Sequence, residues 1–434
     1  MKRIYLDYAA TTPIDKEVKK AMEPYFGGKF GNPNSLHSFG QGARGAIDMS
    51  RQKIAESIGA SFEEIIFTGS ATEANNLALR GIIKQLRIAN YELEKSVIRN
   101  PESKKIKIIV SAIEHDSVLE TAKDLGREGV EVVILPVNKK GIVDLKKLKE
   151  SLDERTVLVS IMYANNETGA MQPINKITNI IREFKQLQIA NYELEKSIIH
   201  NPQLINYPLF HTDAVQAFQF LNCNVNDLGI DMMTLSAHKI YGPKGVGVLY
   251  MRKKDNVKSK MEKIDNKNPI SHFPFPILPL VTGGGQEFGF RSGTENVAGI
   301  VGVAKAIELA DKNREKESKR IGELKSYFIK ELQKIYPSTQ INGIFEEISH
   351  LPNIVNIYFP DFNNEDLLIK LDMAGVAVSS GSACTSFSAK PSHVLAAMGF
   401  NEKKIKSSLR FSFGKFTTKD EIKSILKILK GILK

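Results

Sequence analysis

The chain has 434 residues, of which 42% are hydrophobic and 25% charged, and its formal charge at pH 7 is +11. This length favours two or three domains and excludes a short binding module, and the composition is that of an ordinary folded protein. No run of 18 uncharged apolar residues occurs, so we expect neither a membrane span nor secretion. Two cysteines without a Cys/His cluster indicate a cytoplasmic protein with no metal site.

The positive charge has two interpretations. Lys and Arg number 60 against 49 Asp and Glu, and the excess is mostly lysine scattered along the chain, without a stripe of basic and aromatic residues. A solvated surface explains this pattern better than a nucleic-acid footprint. We therefore expect no direct contact with nucleic acid.

Short β-branched runs alternate with longer amphipathic stretches from about residue 64 to residue 251. The runs predict seven strands: Ile65–Phe67, Ile106–Val110, Val130–Ile134, Val157–Ile161, Leu209–Thr212, Met232–Leu235 and Val246–Tyr250. Strands separated by helices predict an α/β fold with a mostly parallel, seven-stranded sheet that is covered on both faces.

The rest of the chain predicts a second, smaller α+β domain. A lysine-rich and then proline-rich stretch, 253–280, reads as a long exposed connection. Helical periodicity resumes at Asn296, and the charged run 313–319 suits a long solvent-facing helix or a domain boundary. We predict a large domain over 15–314 and a small one formed by 1–14 plus 315–434.

A duplicated segment interrupts the large domain. Residues 84–101 match residues 185–202 at 15 of 18 positions, and each copy follows a predicted helix and precedes a strand. The copies predict helical inserts near 85–104 and 186–205, since two copies are too few for a solenoid. They are either tolerated insertions without a role, or helical extensions whose apolar stripes pack against each other or against a shared partner.

Ser236-Ala237-His238-Lys239 directly follows a predicted strand. A partly desolvated lysine at a strand end is what a Schiff base with a cofactor needs, and Ser236 and His238 can donate to a phosphate. The alternative is a surface lysine in a glycine turn.

Two other strand ends carry polar groups. Asp213 ends an apolar strand, where it can keep a pyridinium nitrogen protonated or can cap a helix. Thr68-Gly69-Ser70-Ala71-Thr72-Glu73 opens a helix, so its backbone N–H groups and the Thr72 hydroxyl can bind phosphate; a capping box is the competing interpretation.

Together these motifs resemble those of the NifS/IscS-type cysteine desulfurases, and the resemblance runs nearly end to end. It includes Tyr5-Leu6-Asp7-Tyr8-Ala9-Ala10-Thr11-Thr12-Pro13, Gly31-Asn32-Pro33, Glu114-His115, Asn165-Asn166-Glu167, Ser236-Ala237-His238-Lys239, Arg291-Ser292-Gly293-Thr294, Ser379 to Ser386 and Arg410-Phe411-Ser412. Proteins of this family are class-V aminotransferases with pyridoxal 5'-phosphate as cofactor. The resemblance therefore implies fold type I, like that of aspartate aminotransferase.

The resemblance also implies roles for individual residues. The implied cofactor-binding residues are Ala71, Thr72, His115, Asn166, Asp213, Gln216, Ser236, His238, Lys239 and Thr294, the last acting in the partner subunit of a homodimer. Lys239 would form the Schiff base, Asp213 would pair with the pyridinium nitrogen, and His115 would stack on the ring. Asn166 and Arg410 would hold the substrate carboxylate.

Cys384 lies in a small, polar loop, Ser379 to Ser386. A lone cysteine is usually a buried small hydrophobe, which is our interpretation of Cys223, but a Ser/Gly-rich loop does not suit burial. The resemblance implies that the Cys384 thiolate attacks the sulfur of L-cysteine, leaving L-alanine and a persulfide on a swinging arm. Lys239, Cys384 and His115 are then the catalytic residues.

The resemblance leaves the sulfur acceptor open, and other activities remain as alternatives. The persulfide would supply a sulfur acceptor such as an iron-sulfur scaffold protein or a tRNA-thiolation protein. A transaminase or a selenocysteine lyase would share the fold, although a transaminase has no use for Cys384. A basic protein that uses the fold only for binding would explain the charge of +11 but not the full set of motifs.

Overall fold

A computed structural model describes residues 3–96, 105–194, 207–253, 277–343, 350–381 and 391–433. Its strands are β1 (Ile4–Tyr5), β2 (Ile65–Thr68), β3 (Lys107–Ser111), β4 (Glu131–Leu135), β5 (Thr156–Ser160), β6 (Leu209–Asp213), β7 (Met232–Ser236), β8 (Gly247–Met251), β9 (Gln340–Ile341), β10 (Ile354–Tyr358), β11 (Val376–Ala377) and β12 (Ser408–Ser412). Its α-helices are α1 (Lys16–Met22), α2 (Ser38–Ile58), α3 (Ala71–Ser96), α4 (Asp116–Arg127), α5 (Leu145–Ser151), α6 (Ile174–Leu194), α7 (Val225–Leu228), α8 (Val297–Ile335), α9 (Asn364–Met373), α10 (His393–Ala397), α11 (Glu402–Ile405) and α12 (Lys419–Ile432).

Seven strands form the central sheet in the order β2-β8-β7-β6-β5-β3-β4. β8 runs antiparallel to both of its neighbours, and the pairs among β4, β3, β5, β6 and β7 are parallel. Every residue of β5, β6 and β7 is buried, as expected for central strands covered on both faces. The predicted sheet is confirmed, and each predicted strand lies within one residue of the observed one.

The two faces of the sheet are covered by different helices because side chains alternate along each strand. On one face Ile66, Ile108 and Leu158 join the apolar residues of α3 and α4 in one cluster. On the other face their neighbours, such as Ile109 and Val159, join α2, α6 and α8. The helices α3 and α6, which lead into the duplicated segments, therefore cover opposite faces.

The duplicated segments begin as extensions of these two helices, as predicted. Their equivalent leucines have different surroundings: Leu86 is 4% exposed, whereas Leu187 is 62% exposed. Ala190 of the second copy is also exposed, and the remaining members of both apolar stripes lie outside the described side chains, so the packing hypothesis stays a prediction. Identical sequence alone does not place the two copies in equivalent environments.

Helix α8 connects the central sheet to the C-terminal part of the chain. It has 39 residues and a length of about 58 Å. Asn296 is its N-cap residue, and the Asn296 side chain accepts the N–H of Gly299. Phe328 in its second half is fully buried against Phe411 and Phe413 of the C-terminal part. The charged run 313–319 thus lies inside one continuous helix.

Two smaller sheets involve the C-terminal part. β10 is the middle strand of a three-stranded antiparallel sheet with β12 and β9, and β1 pairs in parallel with β11. The N-terminal strand thus joins the part of the chain that the sequence assigns to the small domain. The predicted domain boundaries near residues 14 and 314 stay a prediction.

A buried ion pair fastens the segment before α8 to strand β2. Arg51 on α2 donates two hydrogen bonds to Glu287, at 2.9 and 2.7 Å, and both side chains are almost fully buried. Glu287 also accepts the backbone N–H of Phe67, at 2.7 Å. Glu287 and Phe288 have φ values of 50° and 57°, which non-glycine residues rarely adopt. The ion pair therefore fixes a strained turn ahead of Thr294.

We expect Arg51→Met to lower the free energy of unfolding by about 3–5 kcal/mol, because it leaves the Glu287 carboxylate buried without its partner. Lys53→Met, on the same helix, removes an exposed pair with Glu308 and should cost less than about 1 kcal/mol. Urea unfolding of the two variants measures the difference. Equal losses would contradict this role of Arg51.

Candidate active site

The polar residues predicted for the site lie at one edge of the central sheet. Ala71, His115, Asn166, Asp213 and Lys239 each follow or end a strand, namely β2, β3, β5, β6 and β7. These five strands point the same way, so their carboxyl ends share an edge, where open α/β sheets bind ligands. The structure thus brings together the groups that the sequence placed on separate segments.

Lys239 lies in a short 3-10 turn directly after β7, against the N-terminal segment of the chain. Its Nζ donates to the carbonyl oxygens of Ala9 and Ala10, both at 2.7 Å. The Nε2 of Gln216 donates to the same Ala9 oxygen at 2.9 Å. The sequence motif around Ala9 marked this segment, but its contact with Lys239 was not predicted.

His238 has a neutral ring in this environment. Burial and, after it, the nearby charge of Lys239 lower its pKa to about 4. Its Nδ1 lies 3.1 Å from the Thr11 hydroxyl. A neutral imidazole still carries one N–H, so His238 can donate one hydrogen bond to a phosphate.

The start of α3 offers backbone donors beside the sheet. Ser70 caps the helix by accepting the N–H of Glu73, so the N–H groups of Ala71 and Thr72 precede the first turn of intrahelical bonds. Gly247 of β8 lets this helix approach, because a Cβ there would lie 2.4 Å from the Ser70 carbonyl carbon. The cap does not use the N–H groups of Ala71 and Thr72, so it is compatible with the phosphate site, which stays a prediction.

Asp213 is held by two hydrogen bonds at the end of β6. Its Oδ1 accepts the N–H of Val215 at 3.0 Å, and its Oδ2 accepts from the side chain of Asn75 at 2.8 Å. His115 caps α4 by accepting the N–H of Ser117 on its Nδ1. No local pattern in the sequence marks Asn75 or Ser117, so neither was predicted as a site residue.

Arg410 reaches the same edge from β12 of the C-terminal part. Its guanidinium donates to Asp7 at 2.7 Å and to the carbonyl oxygen of Asn166 at 2.9 Å. Arg410 Nε and Asn166 Oδ1 are both buried and have no hydrogen-bond partner among the described residues. A bound molecule with polar groups can satisfy this donor and this acceptor. The hydrogen bond from Arg410 to Asp7 was not predicted from the sequence.

The ends of the loop that carries Cys384 lie close to Arg410. Ser379 and Arg410 exchange two backbone hydrogen bonds, at 3.2 and 2.7 Å. Beyond the loop, the Ser392 hydroxyl donates to Glu167 at 2.5 Å. Burial raises the pKa of Glu167. Cys384 itself lies outside the described residues, so its predicted role stays a prediction.

The remaining predicted residues fall in two groups. Ser236 ends β7 and is buried, whereas Thr294 is exposed just before α8, so its predicted action in a partner subunit stays a prediction. Cys223 is buried, and burial raises the pKa of its thiol to about 12, so its assignment as a small core residue is confirmed. No three His, Cys, Asp or Glu side chains of the described residues form a cluster that could hold a metal ion.

The side chains at this edge fit pyridoxal 5'-phosphate. The start of α3, Ser236 and His238 supply donors for a phosphate, Lys239 supplies an amine for an aldehyde, and Asp213 supplies a carboxylate for a ring nitrogen. The unpartnered atoms of Arg410 and Asn166 leave polar groups for an amino-acid substrate. Apart from Cys384 and Thr294, the predicted residues are thus placed on elements that meet at this edge.

Glu114 is a buried acid next to His115. One oxygen accepts hydrogen bonds from the Ser111 hydroxyl, at 2.5 Å, and from the Met162 N–H, at 2.8 Å, while the other has no partner among the described residues. Burial raises the pKa of Glu114 to about 8. The folded protein therefore holds Glu114 protonated at neutral pH, and the unfolded chain does not.

This raised pKa makes stability depend on pH. The contribution of Glu114 to stability is complete below the ordinary carboxyl pKa of 4.5 and is lost as the pH rises to about 8, because over this range the unfolded chain releases a proton that the folded protein keeps. Glu114→Gln cannot ionise, so it should become more stable relative to wild type between pH 6 and pH 9. Urea unfolding across this range, with the exposed Glu120→Gln as control, measures the effect. Parallel curves for Glu114→Gln and wild type would contradict it.

Comparisons with known proteins agree with this geometry. The aminotransferase class-V family model matches residues 4–190 and 196–425. The cysteine desulfurase IscS of Dictyoglomus turgidum is 42% identical over 434 residues, which cover all of this chain and 95% of that protein. The cysteine desulfurase IscS of Clostridium botulinum is 38% identical over 433 residues, covering all of this chain and 95% of its own.

Solved structures show the same similarity. A NifS-like protein has a TM-score of 0.80 at 34% identity, and the alignment covers 99% of both chains. A NifS-like protein from Rickettsia africae has a TM-score of 0.77 at 31% identity, with the same coverage. These similarities confirm the fold-type prediction. The chain belongs to the aminotransferase class-V family and, within it, to the NifS/IscS-type cysteine desulfurases, whose cofactor is pyridoxal 5'-phosphate.

Proposed function

We propose that this protein converts L-cysteine to L-alanine and retains the sulfur as a persulfide on Cys384. The observation that carries the proposal is that Lys239 and Arg410, from two different parts of the chain, lie at the same sheet edge as Ser379, the described start of the loop that carries Cys384. An amine, a carboxylate-binding guanidinium and a thiol are the three groups that the reaction needs. The acceptor would be an iron-sulfur scaffold protein or a tRNA-thiolation protein in the cytoplasm.

Lys239 supplies the base of the reaction. When bound, pyridoxal 5'-phosphate supplies an electron sink for the Cα electron pair. The Lys239 amine takes the proton from the substrate Cα, and protons are later returned both to the Cβ, which becomes the alanine methyl group, and to the Cα. Its half-buried position beside the carbonyl oxygens of Ala9 and Ala10 limits the directions that the amine can face.

Arg410 orients the substrate. Asp7 and the Asn166 carbonyl hold the guanidinium in one orientation, so little side-chain entropy is lost when a carboxylate binds. A carboxylate gripped in this way presents the Cα–H bond to Lys239 in a defined direction. The Asn166 side chain, whose Oδ1 is buried and has no hydrogen-bond partner among the described residues, supplies a second polar contact.

Cys384 accepts the sulfur. Its thiolate attacks the substrate sulfur, a new S–S bond forms, and the Cβ–S bond breaks with its electron pair remaining on carbon, where it is protonated. One cysteine and one enzyme thiol thus give one alanine and one enzyme persulfide, with no external oxidant. The described ends of the loop lie beside Arg410 and Glu167, on the substrate side of the site.

Two variants separate these steps. Lys239→Ala should lower the rate of alanine formation by at least about 1000-fold, because the amine that takes up and returns protons is gone. Cys384→Ala should still bind the cofactor and L-cysteine, yet form no persulfide. Alanine release and protein-bound persulfide, measured together, test both, and Cys223→Ala is the matched cysteine control. Normal turnover in either of the first two variants would refute the assignment.

An apolar patch supports a homodimer. Phe26, Phe30, Leu36 and Phe39 lie within one stretch of 14 residues, and Leu36 is 91% exposed and Phe30 71% exposed. The rings of Phe30 and Phe39 have centroids 5.6 Å apart, so these exposed side chains form one apolar surface, which is unfavourable in water unless a partner covers it. The partner that we propose for this surface is a second copy of the chain, because the exposed Thr294 is predicted to bind the cofactor of a partner subunit.

We expect the double variant Phe30→Glu, Leu36→Glu to be a monomer and to lose cofactor, because two charges then lie in an apolar interface. The control is Ile369→Glu, Met373→Glu, which changes two exposed apolar residues of α9. Sedimentation at equal concentrations measures the molecular mass. An active, cofactor-loaded wild-type monomer would contradict the proposal.

The described helices include none that is both long and apolar enough to cross a membrane. The proposal of a cytoplasmic enzyme rests on the number and setting of the cysteines.

A further inference from the structure

We infer that Asn75 and Ser117 are positioning residues that hold the carboxylate of Asp213 and the ring of His115 in a fixed relation. The inference rests on the proposed function in one respect, namely that Asp213 and His115 hold the cofactor. It adds two residues that the resemblance does not assign and gives each a physical task.

Asn75 lies in the second turn of α3 and is fully buried. Its Nδ2 donates to Asp213 Oδ2 at 2.8 Å and to Ser117 Oγ at 2.8 Å. Both amide hydrogens are therefore used, one for each partner. Asparagine is a poor helix former, so this position in a helix interior indicates a requirement other than helix propensity.

The orientation of the Asn75 amide is determined by these partners. Its Oδ1 is buried and has no hydrogen-bond partner among the described residues. If the amide were turned over, this oxygen would face the Asp213 carboxylate, and two acceptors would meet. The amide therefore presents its NH₂ group to the carboxylate at the cost of one unsatisfied oxygen, which a purely structural asparagine would avoid.

Ser117 continues the chain of hydrogen bonds to His115. Its backbone N–H donates to His115 Nδ1 at 3.1 Å, and its hydroxyl lies 2.9 Å from the same nitrogen. A nitrogen that accepts an N–H carries no proton itself, so the neutral ring has its proton on Nε2. Because Nδ1 carries no proton, the Ser117 hydroxyl 2.9 Å away donates its hydrogen to this nitrogen while its oxygen accepts from Asn75.

The result is a connected path from β6 through α3 to α4. Asp213, Asn75, Ser117 and His115 come from three separate elements, and each link is 2.8–3.1 Å long. Asp213 cannot shift without moving Asn75, and the plane of the His115 ring depends on Ser117. We therefore assign to Asn75 the spacing between Asp213, which would pair with the ring nitrogen of the cofactor, and His115, which would stack on the ring.

The test compares Asn75→Ala, Ser117→Ala and the control Asn76→Ala. Asn76 is the next residue of the same helix, and its side chain bonds to Thr72 and Thr121 without contacting Asp213. We expect the dissociation constant for pyridoxal 5'-phosphate to rise about tenfold in Asn75→Ala and less than twofold in Asn76→Ala, the loss expected for one hydrogen bond to a charged group.

A second readout needs no cofactor and no turnover. In cofactor-free protein labelled with ¹⁵N-histidine, His115 should show Nδ1 unprotonated and Nε2 protonated in wild type. Ser117→Ala should keep this tautomer, because the backbone N–H of residue 117 still donates to Nδ1, but should shift the Nδ1 resonance, because the contact with the hydroxyl is gone. Asn75→Ala should shift the same resonances in the same direction by a smaller amount.

The outcomes are separable. Unchanged cofactor affinity in Asn75→Ala would overturn its link to Asp213, and unchanged nitrogen resonances in both Asn75→Ala and Ser117→Ala would overturn the link to His115. If Asn75→Ala fails to fold, Ser117→Ala still tests the path through the nitrogen resonances. A wild-type protein that binds the cofactor but makes no alanine would refute the proposed function while leaving both of these measurements readable.

Discussion

The parallel pairing of β5, β6 and β7 is the constraint on which the rest of the site depends. His211, at the centre of β6, lies 2.8 Å from the Ser160 hydroxyl on β5 and 3.0 Å from the Thr234 hydroxyl on β7. Burial lowers the pKa of His211 to about 3, so the ring is neutral. It therefore joins three strands without introducing a charge into the core. With the register of the strands set in this way, Asp213 and Ser236 end their strands at the same edge.

The second half of the site comes from parts of the chain that are far apart in sequence. Asp7 and Arg410 are separated by 403 residues, and their ion pair unites the N-terminal segment with β12. The same N-terminal segment receives hydrogen bonds from Lys239 and Gln216 through the Ala9 carbonyl. The N-terminal segment thus lines the site. Substitutions in it are expected to affect catalysis, although it carries no catalytic side chain of its own.

The duplicated segments show how environment overrides local sequence. Leu86 and Leu187 occupy the same place in two nearly identical stretches, yet one is buried and the other is exposed. The helices α3 and α6 cover opposite faces of the sheet, so the same apolar stripe meets different neighbours. The family model leaves residues 191–195 of the second copy unmatched, as expected for added length in a connection.

The sequence by itself determined the seven strands, the mostly parallel sheet and the residues at the strand ends, because alternating β-branched runs and helices permit few other architectures. Its motifs also determined the family and the cofactor. Only the tertiary structure decided the roles of Asp7, Asn75 and Ser117, since their tasks arise from contacts between elements that no local pattern records. It likewise decided that Arg51 and Glu287 form a buried pair. A charged residue on an amphipathic helix is expected at the surface unless it is paired. Its partner here lies 236 residues away in the sequence, so no local pattern predicts the pair.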